Sequence, residues 1–249
     1  MQRHLTGLAV ATTLLAASPS ALASPFYSPP APEKDAPSFS GESELGYTHL
    51  SGNTDSETLI AKGRLTWLTR PWTHTLRAET RKVERNDDTS AEQYLLAGRE
   101  RYDLDGPHYL FGFARWEKDR FSGYEYQFTT IGGYGRQILD TDTHTLSLEG
   151  GPGYRFDAID DDGTEELGVA YGALDYRWDF SPIASLAQEA SVEATDSNVT
   201  TRSLSSLTAD LNSRLSLRIS HEIKNNSNPP DTADAHTDRT TSATLLYSW

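Results

Sequence analysis

Hydrophobic and polar residues alternate one by one along most of the chain after residue 38. At the carboxyl end, Leu245, Tyr247 and Trp249 share one side of a period-two pattern, and Leu217 and Ile219 alternate in the same way with polar neighbours. Period two places successive side chains on opposite faces of a β-strand, and no stretch keeps the period of about 3.6 residues that an amphipathic helix requires. This part of the chain is therefore predicted to be all-β.

Turn-forming residues divide the region into about twelve strands, separated by short turns such as Arg70-Pro71 and by longer polar loops such as residues 157–166 and 225–239. The predicted strands span residues 39–50, 58–69, 72–84, 92–103, 109–118, 124–139, 144–156, 167–180, 183–194, 199–212, 214–224 and 240–249. Short turns at one end and longer loops at the other are typical of bacterial outer-membrane barrels, and an even strand number leaves both chain ends in the periplasm. We predict a single antiparallel transmembrane β-barrel over residues 39–249, located in the outer membrane.

Several strands carry charged side chains on the face opposite their hydrophobic residues. The core of a soluble β-sandwich, which is the alternative fold, would exclude such charges, whereas the wet lumen of a barrel accepts them. We predict that these residues point into the lumen and form its binding surface. They are Arg77, Glu79, Arg81, Arg99, Arg101, Arg115, Glu117, Glu149, Arg155, Asp175, Arg177, Glu189, Arg214 and Arg218. Because both signs occur on adjacent strands, the lumen is either a paired network that fills the barrel or a narrow passage.

The first residues have the pattern of a secretory signal peptide. Arg3 and His4 precede an apolar run over residues 5–17, and the small residues Ala21 and Ala23 flank a leucine. The run is shorter than the roughly twenty residues that a helix needs to cross a bilayer. We predict a cleaved signal peptide over residues 1–23, followed over residues 24–38 by a proline-rich periplasmic lead-in that cannot pair regularly in a sheet.

The chain contains 36 acidic residues, 22 basic residues and no cysteine. This acidity argues against nucleic acid as a partner, and an exported chain without cysteine gains its stability from burial and hydrogen bonding. The acidic residues concentrate in the predicted loops, where they are either solvated or bridged through divalent cations to lipopolysaccharide phosphates. No spacing of histidines or carboxylates matches a metal site, so we predict neither a metal nor a cofactor.

Several short segments are specific enough to indicate a family. They are Leu45-Gly46-Tyr47 followed by Ser51-Gly52-Asn53-Thr54, residues 109–121 (YLFGFARWEKDRF), residues 131–135 (IGGYG), residues 148–154 (LEGGPGY) and the aromatic carboxyl terminus. With these motifs, most of residues 41–249 resembles the YdiY-like salt-induced outer-membrane proteins, a domain of unknown function. The resemblance implies a barrel in contact with outer-membrane lipids and lipopolysaccharide. It implies no activity, because the family has no established one. Tyr247-Ser248-Trp249 also resembles the terminal signal that the barrel-assembly machinery recognises, although Phe is more common than Trp249 at the last position.

An enzymatic alternative rests on His49 and Ser51. Residues i and i+2 of a strand face the same side, so His49 would accept the proton of the Ser51 hydroxyl during acyl transfer. Outer-membrane phospholipase A and the lipid A deacylases are similar in carrying a His-x-Ser pair on a barrel strand. In those enzymes Asn directly follows the serine, whereas Gly52 intervenes here, and Gly-Asn at a strand end is typical of a hairpin turn. We therefore predict a non-enzymatic barrel, structural or a narrow passage, with a lipid hydrolase as the alternative.

Overall fold

The computed structural model describes residues 37–50, 56–85, 88–120, 122–159, 163–230, 233 and 235–249, so the predicted signal peptide and most of the lead-in lie outside the described residues. Within them the chain forms twelve strands. These are β1 (Phe39–Leu50), β2 (Ser56–Thr69), β3 (Trp72–Arg85), β4 (Asp88–Asp103), β5 (His108–Asp119), β6 (Tyr124–Asp140), β7 (His144–Ile159), β8 (Gly163–Ser181), β9 (Ala184–Ala194), β10 (Val199–Asp210), β11 (Leu215–Asn226) and β12 (Thr237–Ser248). In this part of the chain there is no helix whose length and apolar character would let it span a membrane.

Each strand pairs antiparallel with its neighbours in the chain, and β1 also pairs with β12, so the sheet closes into a barrel. The predicted all-β fold and the strand number are confirmed. The strand ends differ slightly from the prediction: β4 begins at Asp88 rather than at residue 92, because its ladder with β3 continues to the pair Arg85 and Asp88.

The outer face of the barrel is apolar over most of its area. Leu45, Leu148, Leu217 and Ile219 are between 41% and 62% exposed, as expected for side chains that contact lipid rather than a protein core. The inner face carries the charged residues of the same strands. Inside and outside are therefore reversed relative to a soluble protein.

Aromatic side chains lie on the outer face near the rim that holds both chain ends, which we call the terminal rim. They are Trp67, Trp72, Trp178 and Trp249, each between 38% and 53% exposed. Trp116 lies nearer the opposite rim, the loop rim, toward the end of β5. Indole rings at such positions place an apolar ring in the acyl region and an N–H among polar headgroups.

One stripe of the outer face is polar in the middle of the strands. Gln188, Ser205, His221 and Thr241 follow one another across β9, β10, β11 and β12 as directly paired residues, and we call them the outer polar row. Ser205 Oγ donates a hydrogen bond to Gln188 Oε1 at 2.5 Å, and His221 Nδ1 lies 2.8 Å from Thr241 Oγ1. The row thus pairs its polar groups on a face that is apolar over most of its area, and Gln188 Nε2 also donates to Ser203 Oγ at 3.0 Å.

Closure of the barrel depends on a short ladder, which we call the closing seam. Strands β1 and β12 pair only over residues 42–45 and 245–248, four positions, whereas the ladder between β10 and β11 has eleven. Gly41 and Trp249 extend the seam with two backbone hydrogen bonds of 2.8 and 3.0 Å. The indole ring of Trp249 lies over Gly41, where a Cβ atom would come within 2.4 Å of the ring. Glycine at position 41 therefore permits this close approach.

Candidate functional site: the charged lumen

The barrel brings almost all of the predicted lumen residues together on its inner face. Those placed on the lumen side of their strands are Arg77, Glu79, Arg81, Arg99, Arg101, Arg115, Glu117, Glu149, Arg155, Asp175, Arg177, Glu189 and Arg218. The prediction was wrong for Arg214, which is exposed in the turn between β10 and β11. Asn212 Oδ1 accepts the backbone N–H groups of Arg214 and Leu215 at 2.9 and 3.0 Å, and this turn delays the start of β11 to Leu215.

Four charged side chains cross the lumen in the half of the barrel toward the loop rim. Arg115 Nη2 lies 2.9 Å from both carboxylate oxygens of Glu193, and Arg202 Nη2 lies 3.1 and 3.0 Å from the oxygens of Glu117. Arg115 Nε also bonds Glu117 at 2.6 Å, and Arg202 Nη1 bonds Glu193 at 3.0 Å. Each arginine thus contacts both glutamates. We call these four residues the central bridge.

The central bridge joins nearly opposite walls of the barrel. Arg115 and Glu117 belong to β5, whereas Glu193 belongs to β9 and Arg202 to β10. Their side chains are between 1% and 6% exposed, so the bridge is shielded from water. Buried ion pairs add little net stability compared with apolar packing, but loss of one partner costs roughly 3–5 kcal/mol. The bridge therefore favours one closed arrangement of the lumen strongly over partly broken ones.

A second buried ion pair lies between β4 and β7. Arg99 binds Glu149 through two nitrogens, at 3.2 and 2.5 Å, in a bidentate arrangement. The hydroxyl groups of Tyr109 and Tyr171 donate to the same carboxylate at 3.3 and 3.1 Å. Glu149 thus accepts from three side chains, which compensates for its burial.

Aromatic rings fill the lumen between these two charged groups, and the sequence analysis did not anticipate them. Phe111 and Phe113 are each 5% exposed and Tyr109 is fully buried. Guanidinium groups lie over the rings: Arg101 over Tyr109 at 3.8 Å, Arg99 over Phe111 at 4.8 Å and Arg115 over Phe113 at 5.9 Å. A cation over a ring face is attracted by the π electrons, most strongly where water is excluded. Cations and rings therefore pack together as a mixed core on this side of the lumen.

Gly135 on β6 makes room for this core. A Cβ atom at this position would lie 2.1 Å from Cζ of the Tyr109 ring. Any larger residue would displace the ring and its hydrogen bond to Glu149. The glycine-rich segment of the sequence therefore has a packing function inside the lumen.

On the other side of the lumen, a cavity of about 400 Å³ extends inward from the terminal rim, and we call it the terminal cavity. Its lining includes basic residues of β2, β3 and β11 and acidic residues of β1, β8 and β9. The sequence analysis missed four of them. They are Glu42, Glu44, Lys62 and Arg64. Glu44 binds Arg218 at 2.9 Å and Lys62 at 3.9 Å.

The enzymatic alternative is not tested, because the side chain of His49 and all of Ser51 lie outside the described residues. In the part of the chain that the structure describes, no three His, Asp or Glu side chains are grouped so that they could hold a metal ion.

Comparison with known proteins identifies a family. A model of the family described as "Protein of unknown function, DUF481" matches residues 43–249. The chain is 35% identical over 210 residues to the uncharacterized protein YdiY of Escherichia coli (strain K12), covering 84% of this chain and 83% of that protein. Among solved structures, it is similar to the NanC porin with a TM-score of 0.49 and 7% identity, covering 84% of this chain and 97% of the porin. The translocator domain of autotransporter NalP from Neisseria meningitidis gives 0.46 and 14%, with coverages of 87% and 90%. Each of these likenesses to the chain concerns the barrel fold alone.

Proposed function

The chain belongs to the DUF481 family of proteins of unknown function, and we propose that it is an outer-membrane β-barrel whose lumen is a narrow passage for small ions and solutes, held closed by the central bridge. The observation that carries the proposal is the set of ion pairs joining β5 to β9 and β10 across the lumen. Charged groups that meet across the lumen of a barrel are able to separate and hydrate, whereas an apolar core is not.

The outer surface supports a membrane location. A strand of twelve residues, such as β5, spans about 30 Å when each residue rises roughly 3.3 Å and the strand tilts by roughly 40°. This length crosses the apolar band of an outer membrane. The aromatic residues at the terminal rim would then lie in the periplasmic interface, in keeping with the predicted signal peptide and the even strand number. Contacts with lipopolysaccharide and recognition of Trp249 by the barrel-assembly machinery belong to the same proposal.

Planar-bilayer conductance tests the passage. We expect wild-type barrels to remain mostly closed and the double variant Glu117→Gln/Glu193→Gln to show frequent openings, because the bridge then lacks both negative charges. The matched control is Asp157→Asn, which alters a buried lumen carboxylate that pairs with Arg155 on its own strand, at 2.9 Å. Openings in the control equal to those in the double variant would contradict a specific role for the bridge. A folded double variant that stays silent would show that the lumen is structural filling.

A further inference from the structure

Two pairs of like charges face each other across the terminal cavity. Arg64 and Arg77 are directly opposite one another on β2 and β3, and Asp175 and Glu189 are directly opposite on β8 and β9. All four line the cavity. Like charges at directly opposite positions destabilise an antiparallel pair of strands unless other charges compensate them.

The two pairs differ in how they are compensated. Arg64 has Glu42 at 3.2 Å, and Arg77 donates a hydrogen bond to Glu79. Among the residues that the structure describes, neither Asp175 nor Glu189 has a salt-bridge partner within 4.0 Å. Glu189 is 4% exposed, and its Oε2 atom is buried without a hydrogen-bond partner.

A buried carboxylate oxygen without a partner is costly, so a hydrogen-bond donor delivered by a solute would stabilise the acidic pair. Three basic side chains of the cavity interact electrostatically with Glu189 without contacting it. They are Arg64 and Arg77 of the opposite wall, and Arg218 of β11. Their positive charge opposes the entry of a simple cation, and the acidic pair opposes the entry of a simple anion. A solute that carries both charges at separate ends is attracted to both walls.

We propose that the terminal cavity binds a small zwitterionic solute of the ω-amino acid type, with its ammonium group between Asp175 and Glu189 and its carboxylate toward Arg64 and Arg77. An ammonium group has three donors and is able to serve two carboxylates, and guanidinium groups bind carboxylates through paired donors. A volume of about 400 Å³ lies within the range of small-molecule sites. This binding site goes beyond the passage proposed above and does not depend on it, because the cavity reaches the terminal rim whether or not the central bridge opens.

Isothermal titration calorimetry on the full chain refolded in detergent tests the site. The probes are β-alanine, 4-aminobutyrate and 6-aminohexanoate, which differ in the distance between their charges, with butyrate, butylammonium and sodium chloride as single-charge controls. We expect at least one zwitterion to bind with a Kd of about 1 mM or tighter and at least tenfold more tightly than any control. Equal binding of butylammonium would show a cation site instead and overturn the proposal, as would the absence of binding by all three zwitterions.

Variants assign the binding to the acidic pair. Glu189→Gln should weaken binding of the preferred zwitterion at least tenfold, and Asp175→Asn provides a second test if the first variant does not fold. Asp157→Asn changes a buried carboxylate that is not part of the cavity lining and should bind as the wild type does. Unchanged affinity in a folded Glu189→Gln or Asp175→Asn barrel would contradict the proposed position of the ammonium group.

Discussion

The ion pair between Arg99 and Glu149 offers a quantitative test of how the lumen core is stabilised. The two side chains are 1% and 3% exposed, and Arg99 binds both carboxylate oxygens. Arg99→Met keeps most of the apolar stem and removes the charge. Among the described residues, Glu149 then retains as donors only the hydroxyl groups of Tyr109 and Tyr171, which already bind it in the wild type. An uncompensated buried charge of this kind should lower the free energy of unfolding by roughly 3–5 kcal/mol.

A second substitution separates the charge effect from lost packing. In Arg99→Met/Glu149→Gln the buried charge is gone, and the amide still exchanges hydrogen bonds with the tyrosines. We expect the double variant to lie within about 1–2 kcal/mol of the wild type, because isosteric replacement of a whole buried ion pair is often nearly neutral. The double variant would then be more stable than the single variant, which is the signature of strong coupling.

Equilibrium urea unfolding in phosphocholine vesicles, followed by the fluorescence of the five tryptophans, measures the free energy of unfolding. The cycle consists of the wild type, Arg99→Met, Glu149→Gln and the double variant. The reasoning would be refuted if Arg99→Met changed the free energy of unfolding by less than about 1 kcal/mol, because removing one partner of a buried ion pair leaves an uncompensated charge. It would also be refuted if the two substitutions were simply additive, because the charges would then not depend on one another.

Three further predictions concern the outer face and the glycines. Trp249→Ser should accumulate poorly in the outer membrane of cells. In detergent it should still refold to a heat-modifiable barrel, because loss of roughly 2–3 kcal/mol of apolar burial leaves the ladders intact. Normal accumulation in cells would exclude a role of Trp249 in assembly. Gly135→Leu should reduce the folded yield on gels by displacing Tyr109, whereas Gly168→Leu, with no atom within 4 Å of its Cβ position, should fold normally. His221→Leu should raise the stability in vesicles by about 1 kcal/mol if the outer polar row faces lipid; a loss of stability would indicate that the row contacts protein.

The strands could be predicted from the sequence because a barrel repeats one local rule. Alternation along Leu215, Leu217 and Ile219 sets which face of β11 meets lipid, and their polar neighbours then face the lumen. This rule needs no knowledge of distant residues. Most of the charged inner face was therefore predicted, although Arg202 and the cavity residues on β1 and β2 were missed. Arg214 failed because a side chain of the preceding turn controls where β11 begins.

The mixed core of rings and cations could not be predicted by the same rule. On β5, Phe111 and Phe113 share a face with Arg115 and Glu117, while the opposite face carries apolar residues such as Leu110. A strand that is hydrophobic on both sides gives no clear inside from hydrophobicity alone. The sequence did contain one indication: the rings and the charged residues of β5 occupy alternate positions of the same face, so both point into the lumen.

Which residues form ion pairs across the lumen could not be predicted from the sequence either. Arg115 and Glu193 are 78 residues apart, and Arg202 and Glu117 are 85 apart. Their contact depends on the cross-section of the closed barrel, which is a property of all twelve strands together. No local pattern encodes such a distance.

The closing seam sets the order in which the molecule would come apart. Its ladder of four positions is far shorter than the eleven between β10 and β11, so its amide protons have the least cooperative protection in the barrel wall. The amide protons of residues 245–248 that face β1 should exchange with solvent faster than those in the ladder between β10 and β11. The barrel would then pass through an open sheet that keeps its other ladders, and the reverse step, zipping of β1 onto β12, would be the last event of folding.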